Sequence, residues 1–204
     1  MSCVIGTVFK NFVIISGDMR LSKDSGETVS DKYSKVFKVN QNVLVGFTGS
    51  GDAVDVLNKN GIFDKDDCPS AEDYLEFLWL LLGNRVINEP NHCNILVLGK
   101  SKTNYGFGGN FHMSDDNIQN QLHLTDHRNV WAPILTPPDV DYEYYQDLVR
   151  SNVQYIIAEQ INSPVFSRGL AIKKIKEIHR EIILEISKKD KSVNSNIEQH
   201  VIKW

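Results

Sequence analysis

A serine hydroxyl sits two residues into this chain, directly before the apolar run Cys3 to Phe9 (CVIGTVF). Terminal residues are ordinarily loose unless a structural element ties them down. An apolar run that starts at residue 3 therefore places Ser2 where the fold holds it firmly. Cys3 is a second nucleophile in the same stretch, and strand alternation sends its side chain to the opposite face from Ser2. Other chemistry-bearing groups are scattered. Cys3, Cys68 and Cys93 form no Cys-x-x-Cys pair, so a disulfide framework or zinc site is not expected and a reducing, cytoplasmic setting is. His123 and His127 have helical spacing inside a stretch that reads as strand and turn, which favours a solvated loop over a metal site. Asp64-Lys65-Asp66-Asp67 lacks the glycine and closing glutamate of a calcium loop and reads as a solvated turn. No metal and no cofactor are expected.

Composition narrows the class further. The chain has 204 residues, 41% hydrophobic and 24% charged, with a formal net charge of −4. That suits one soluble globular domain, residues 1–204. The acidic balance argues against nucleic acid as a partner. No run approaches the roughly 20 apolar residues a membrane span needs. The N-terminus lacks the basic start of a secretory signal.

The elements that must position these groups follow from periodicity and punctuation. Cys3–Phe9 and Phe12–Gly17 read as strands joined by a two-residue turn at Lys10-Asn11. Leu21–Asp31 is polar and reads as loop. Lys35–Val39 and Val43–Phe47 form a second hairpin. Thr48-Gly49-Ser50-Gly51 ends the strand, and Asp52 opens a helix. Ser70 and Asp73 cap another helix running to about Asn88. Strands follow at Asn94–Lys100, Tyr105–His112 and Gln119–Leu124. After Pro137-Pro138 come two long helices, Asp141 to Asn162 and Phe166 to Lys189. The second carries an apolar stripe from Leu170 to Ile183. Asn196–Lys203 is a last strand. Blocks of strands alternating with blocks of helices predict an α+β fold with antiparallel sheets. Two sheets, each covered by a helix pair, would make a four-layer αββα sandwich.

In this order the chain resembles the proteasome β-subunit and HslV-like family of N-terminal nucleophile (Ntn) hydrolases. The likeness lies in Ser2-Cys3-Val4-Ile5-Gly6, Gly17-Asp18-Met19-Arg20, Lys35-Val36-Phe37 and Phe47-Thr48-Gly49-Ser50-Gly51-Asp52-Ala53. The key positions are separated by 16, 17 and 14 residues. A looser echo begins at Asp190, with Ser192 near it; Asn194 and Ser195 stand where the family has a glycine pair. Two further departures are Ser in place of the proteasomal Thr, and Val130 to Pro138 in place of a Gly-Ser-Gly turn.

The resemblance implies roles. Ser2 would be the nucleophile, with its own α-amine, of unperturbed pKa roughly 7.7–8.0, as base once an aminopeptidase removes Met1. Lys35 would favour a neutral amine and a developing alkoxide, Asp18 would hold Lys35, and Gly49 N–H would meet the oxyanion. Asp190 and Ser192 would be hydrogen-bond partners near the amine. Ser22 and Gly51 would hold the substrate as an added strand, while Arg20, Tyr33 and Phe47 would line the pocket for the side chain before the cut bond. The implied activity is peptide or amide hydrolysis through an acyl-enzyme, in a homo-oligomer built as a ring or from dimers; an unfoldase partner is left open. Two alternatives stay open: a non-catalytic scaffold subunit, and acyl transfer to an amine on the same fold.

Overall fold

The computed structural model describes residues 2–22, 27–49, 57–63, 65–83, 93–113, 118–124, 129–163 and 165–204. Met1, Ser50, Gly51, the expected helix start at Asp52, Asp64, Thr125 to His127 and the end of the second expected helix lie outside them. The His123 side chain lies outside them as well.

Strands β1 (Val4–Phe9) and β2 (Phe12–Asp18) form the expected hairpin, Phe9 pairing with Phe12 across the two-residue turn. β3 (Leu21–Ser22) and β4 (Thr28–Ser30) make a small bulged ribbon where a loop is expected. Its residues are half-buried or exposed and none is fully buried, so no buried face prints an apolar alternation into the sequence. β5 (Val36–Lys38) and β6 (Val43–Gly49) form the second hairpin. Helix α1 (Ala71–Leu78) starts at the expected cap, the Ser70 hydroxyl accepting from Asp73 N–H, and passes into a π-helical turn over Trp79–Gly83. β7 (Cys93–Lys100), β8 (Gly106–Met113) and β9 (Ile118–Leu124) extend the sheet of β5 and β6. A short strand β10 (Ile134–Leu135) precedes α2 (Tyr142–Ile161) and α3 (Arg168–Lys189), and β11 (Ile197–Lys203) closes the chain.

Among the described residues the two larger sheets are antiparallel, with orders β10-β1-β2-β11 and β5-β6-β7-β8-β9. Strand alternation distributes their side chains into three buried clusters. Ile5 and Phe9 of β1 pack with α2 and α3 residues such as Val149, Val153, Ile175 and Ile183. Val4 and Val8 face the other way and meet Leu96 and Leu98 of β7. Ile95 and Val97 of β7 face a third cluster with Tyr74, Leu75 and Leu78 of α1. A strand buried on both faces reads as an unbroken apolar run, which is why β1, β2 and β7 are plain in the sequence. None of the helices among the described residues is long and apolar enough to cross a membrane.

Candidate active site

The site starts with a chain end pinned in both directions. Cys3 N–H donates to Asp18 Oδ1 at 2.8 Å, and Asp18 N–H donates to the Cys3 carbonyl at 3.1 Å. Residue 3 is thereby locked against the end of β2, and Ser2, 5% exposed, is carried with it. Asp18 is fully buried. An isolated buried carboxylate costs several kcal/mol, so it must be matched by donors. Here Lys35 Nζ lies 3.0 and 2.9 Å from its two oxygens, and Arg20 N–H donates to Oδ2 at 3.0 Å.

Lys35 is itself 3% exposed. Burial pulls its ammonium below the ordinary lysine range, and the Asp18 charge opposes that pull. Asp18 Oδ1 accepts from both Cys3 N and Lys35 Nζ. Two hydrogen bonds to one oxygen hold those nitrogens within about 6 Å of each other, which brings the lysine charge to the peptide bond that follows Ser2. Gly17 permits this closeness: a Cβ there would stand 2.9 Å from Val36 Cγ1. Cys3 is a poor rival nucleophile in this setting. Burial first, and the Asp18 charge second, push its thiol well above the usual cysteine range, so it stays protonated.

Gly49 ends β6 with φ of +128° and is exposed. Residues with a Cβ rarely adopt that conformation. Phe47 N–H donates to the Lys35 carbonyl at 2.8 Å, tying this strand to the lysine. The Phe47 ring is buried and meets Phe37 and Phe63 edge-on. Tyr33 packs partly against the same cluster, and its N–H donates to the Met19 carbonyl at 2.9 Å. Ser22 lies on β3 opposite Thr28, with its hydroxyl buried and unpartnered.

Arg20 and the loop after α3 form a clasp that the sequence did not disclose. Arg20 Nε pairs with Asp31 Oδ1 at 2.6 Å, and its Nη1 donates to the Lys191 carbonyl at 2.8 Å. Asn194 accepts from Met19 N–H at 3.0 Å and donates to Asp31 Oδ1 at 3.0 Å. Asn196 donates to the Asp31 carbonyl at 3.0 Å. Asn194, standing where the resemblance expects a glycine, thus joins the loop to the residue after Asp18. Arg20 and Asn194 both hold Asp31's carboxyl below its ordinary range. Asp190 caps α3, and its Oδ1 accepts from Ser192 N–H at 2.7 Å; the Ser192 hydroxyl is buried and unpartnered. The described bonds of Asp190 lie within its own turn. Ser2, Asp18 and Lys35 are therefore drawn into one place, with Phe47 and the 190–196 loop bonded to their neighbours. Gly51 lies outside the described residues.

His179 is a second buried group that the sequence does not disclose. It is fully buried in α3, with Nε2 2.9 Å from Thr7 Oγ1 and Nδ1 2.9 Å from Ser16 Oγ. Its only sequence signal is its place in the apolar stripe, four residues after Ile175.

No curated protein matches the chain. Residues 2–60, the stretch that carries Ser2, Asp18, Lys35 and Gly49, match the model of the proteasome subunit family, so the chain is proteasome-like over the segment that builds this site.

Proposed function

We propose that this chain is a proteasome-like Ntn hydrolase that cleaves peptide or amide bonds through a Ser2 acyl-enzyme, its layers forming the αββα sandwich of that fold. One observation carries the reading. A fully buried carboxylate, Asp18, is shared between the backbone beside Ser2 and the buried Lys35 ammonium. A buried ion pair is a weak source of stability, because desolvation offsets attraction. Its position beside a candidate nucleophile suits electrostatic work.

With Met1 removed, the free Ser2 amine takes the hydroxyl proton, directly or through water. The oxygen attacks the carbonyl carbon, and the tetrahedral oxyanion is met by Gly49 N–H. The amine then gives its proton to the leaving nitrogen, the C–N bond breaks, and water hydrolyses the ester by the reverse sequence. Lys35 disfavours a second positive charge at the amine and favours the alkoxide. Arg20, Ser22, Tyr33, Phe47 and Gly51 form the substrate side. The protein works in the cytoplasm as a homo-oligomer on peptide or protein substrates.

One observation favours the scaffold reading instead: Ser2 is only 5% exposed. A single experiment decides. Protein shown by intact mass to begin at Ser2 is treated with a peptide epoxyketone. An adduct on Ser2, absent in Ser2→Ala, is expected. Protein that begins at Ser2 and takes no adduct would leave only the scaffold.

A further inference from the structure

The edge of the first sheet is closed by a side chain acting as main chain. β1 pairs with the segment 131–135: Gly6 N–H donates to the Pro133 carbonyl at 2.9 Å, and Val8 and Trp131 exchange bonds of 2.7 and 3.1 Å. The backbone groups of 131 and 133 therefore face β1. By strand alternation those of 132 and 134 face outward. An outward row of unpaired groups is a template for another strand. Here Gln146 of α2 fills it: its Nε2 donates to the Ala132 carbonyl at 2.8 Å, and its Oε1 accepts from Ile134 N–H at 3.1 Å. A carboxamide is a peptide unit without a chain. These two backbone groups are the pair that one residue of an added parallel strand would engage.

The space along this edge suits a chain. A cleft of about 640 Å³ is lined by every residue from 130 to 138, a length of roughly 30 Å if extended. Gln146 and Arg150, four residues apart on α2, line it as well, with Asn94 and Asn110 from β7 and β8. The Asn110 Oδ1 is buried and has no partner. It is an acceptor waiting for an N–H, while Asn94 Oδ1 already meets His112 Nδ1 at 2.6 Å.

We propose that this cleft binds an extended polypeptide segment as an added strand along residues 130–136, Gln146 yielding its two backbone partners to the incoming main chain. Recognition rests on main-chain N–H and C=O groups, as in other strand additions. The exchange replaces two amide bonds by two of the same kind, so displacing Gln146 costs little beyond freeing one side chain.

The test uses a fluorescein-labelled Thr-Val-Thr-Val-Thr peptide and a copy N-methylated at both valines, read by anisotropy. Gln146→Ala, checked for folding by circular dichroism, removes the competing amide and is expected to bind the first peptide at least tenfold more tightly than the native chain. N-methylation is expected to abolish binding. Exchange of the Ile134 amide, fast in the free variant, slows when peptide is added. If Gln146→Ala fails to fold, Gln146→Glu serves: it keeps the acceptor for Ile134 and sets an oxygen against the Ala132 carbonyl, which also frees the edge. Equal affinities for native and variant, equal binding of the N-methylated peptide, or no binding to a folded variant would each overturn the proposal.

Discussion

Asp18 and Lys35 hold each other's charge in the buried site, the ammonium meeting both carboxylate oxygens. With Lys35 replaced by Met, the Asp18 carboxylate keeps two backbone donors, Cys3 and Arg20, but loses its counter-charge. Breaking a buried pair from one side costs about 3–5 kcal/mol, and urea unfolding of Lys35→Met is expected to show a loss of that size. Asp18→Asn takes the opposing charge away from the ammonium instead. It removes the partner that opposes burial, so the folded-state pKa of Lys35 falls further below its unfolded value. The unfolded chain then binds more protons, and stability rises with pH. Asp18→Asn is therefore expected to regain stability between pH 7 and pH 9 relative to the native chain, while Lys35→Met is not. The same midpoint for Asp18→Asn at both pH values would mean that the Asp18 charge does not set the protonation of Lys35. Both variants are also expected to lose epoxyketone labelling of Ser2. Loss of labelling with a native unfolding midpoint would separate catalysis from folding.

Elements, unlike the pair, were legible in the sequence only where burial was two-sided or regular. β1, β2 and β7 print continuous apolar runs because each faces a cluster on both sides. The capped helices α1 and α2 declare their starts through Ser70 and Asp141. β10 was invisible: two residues between prolines carry no period, and Pro133 takes part only as an acceptor, which an edge strand tolerates. The clasp through Asp31 and Asn194 was equally unreadable, because its partners lie 163 residues apart and polar residues in loops leave no pattern. The 130–135 segment is instead held by a shape that can be tested. Trp131 covers Gly108 of β8 so closely that a methyl there would overlap its ring. Gly108→Ala must push the indole, and with it the edge strand. Overpacking of this kind costs about 1–3 kcal/mol. A fall in thermal midpoint, with a changed tryptophan emission in the folded state, is the expected outcome. An unshifted midpoint would mean the indole has room to move, and that the edge strand does not rely on it.

Across the whole molecule, the bond most exposed to solution conditions is the one that fastens α3 to the first sheet. His179 reaches from the helix to Thr7 on β1 and Ser16 on β2, and Gln199 of β11 donates to the same Ser16 hydroxyl at 3.1 Å. Burial drives the imidazole pKa from 6.5 down to about 3. Above pH 6.5 the ring is neutral whether the chain is folded or not, and it adds no pH dependence. Between pH 6.5 and about 3 the unfolded chain takes a proton that the folded chain refuses, so stability falls as pH falls. One such proton gives a slope of about 1.4 kcal/mol per pH unit, or roughly 2–3 kcal/mol between pH 7 and pH 4.5. His179→Gln keeps a donor and an acceptor but cannot titrate. Its stability at pH 7 is expected to drop through imperfect bridging, yet its loss between pH 7 and pH 4.5 should be smaller than that of the native chain by about that amount. Urea unfolding of both proteins at the two pH values measures the difference directly. Equal losses would mean that protons reach His179 without unfolding, and that the helix layer opens from the sheet while the rest of the fold stands.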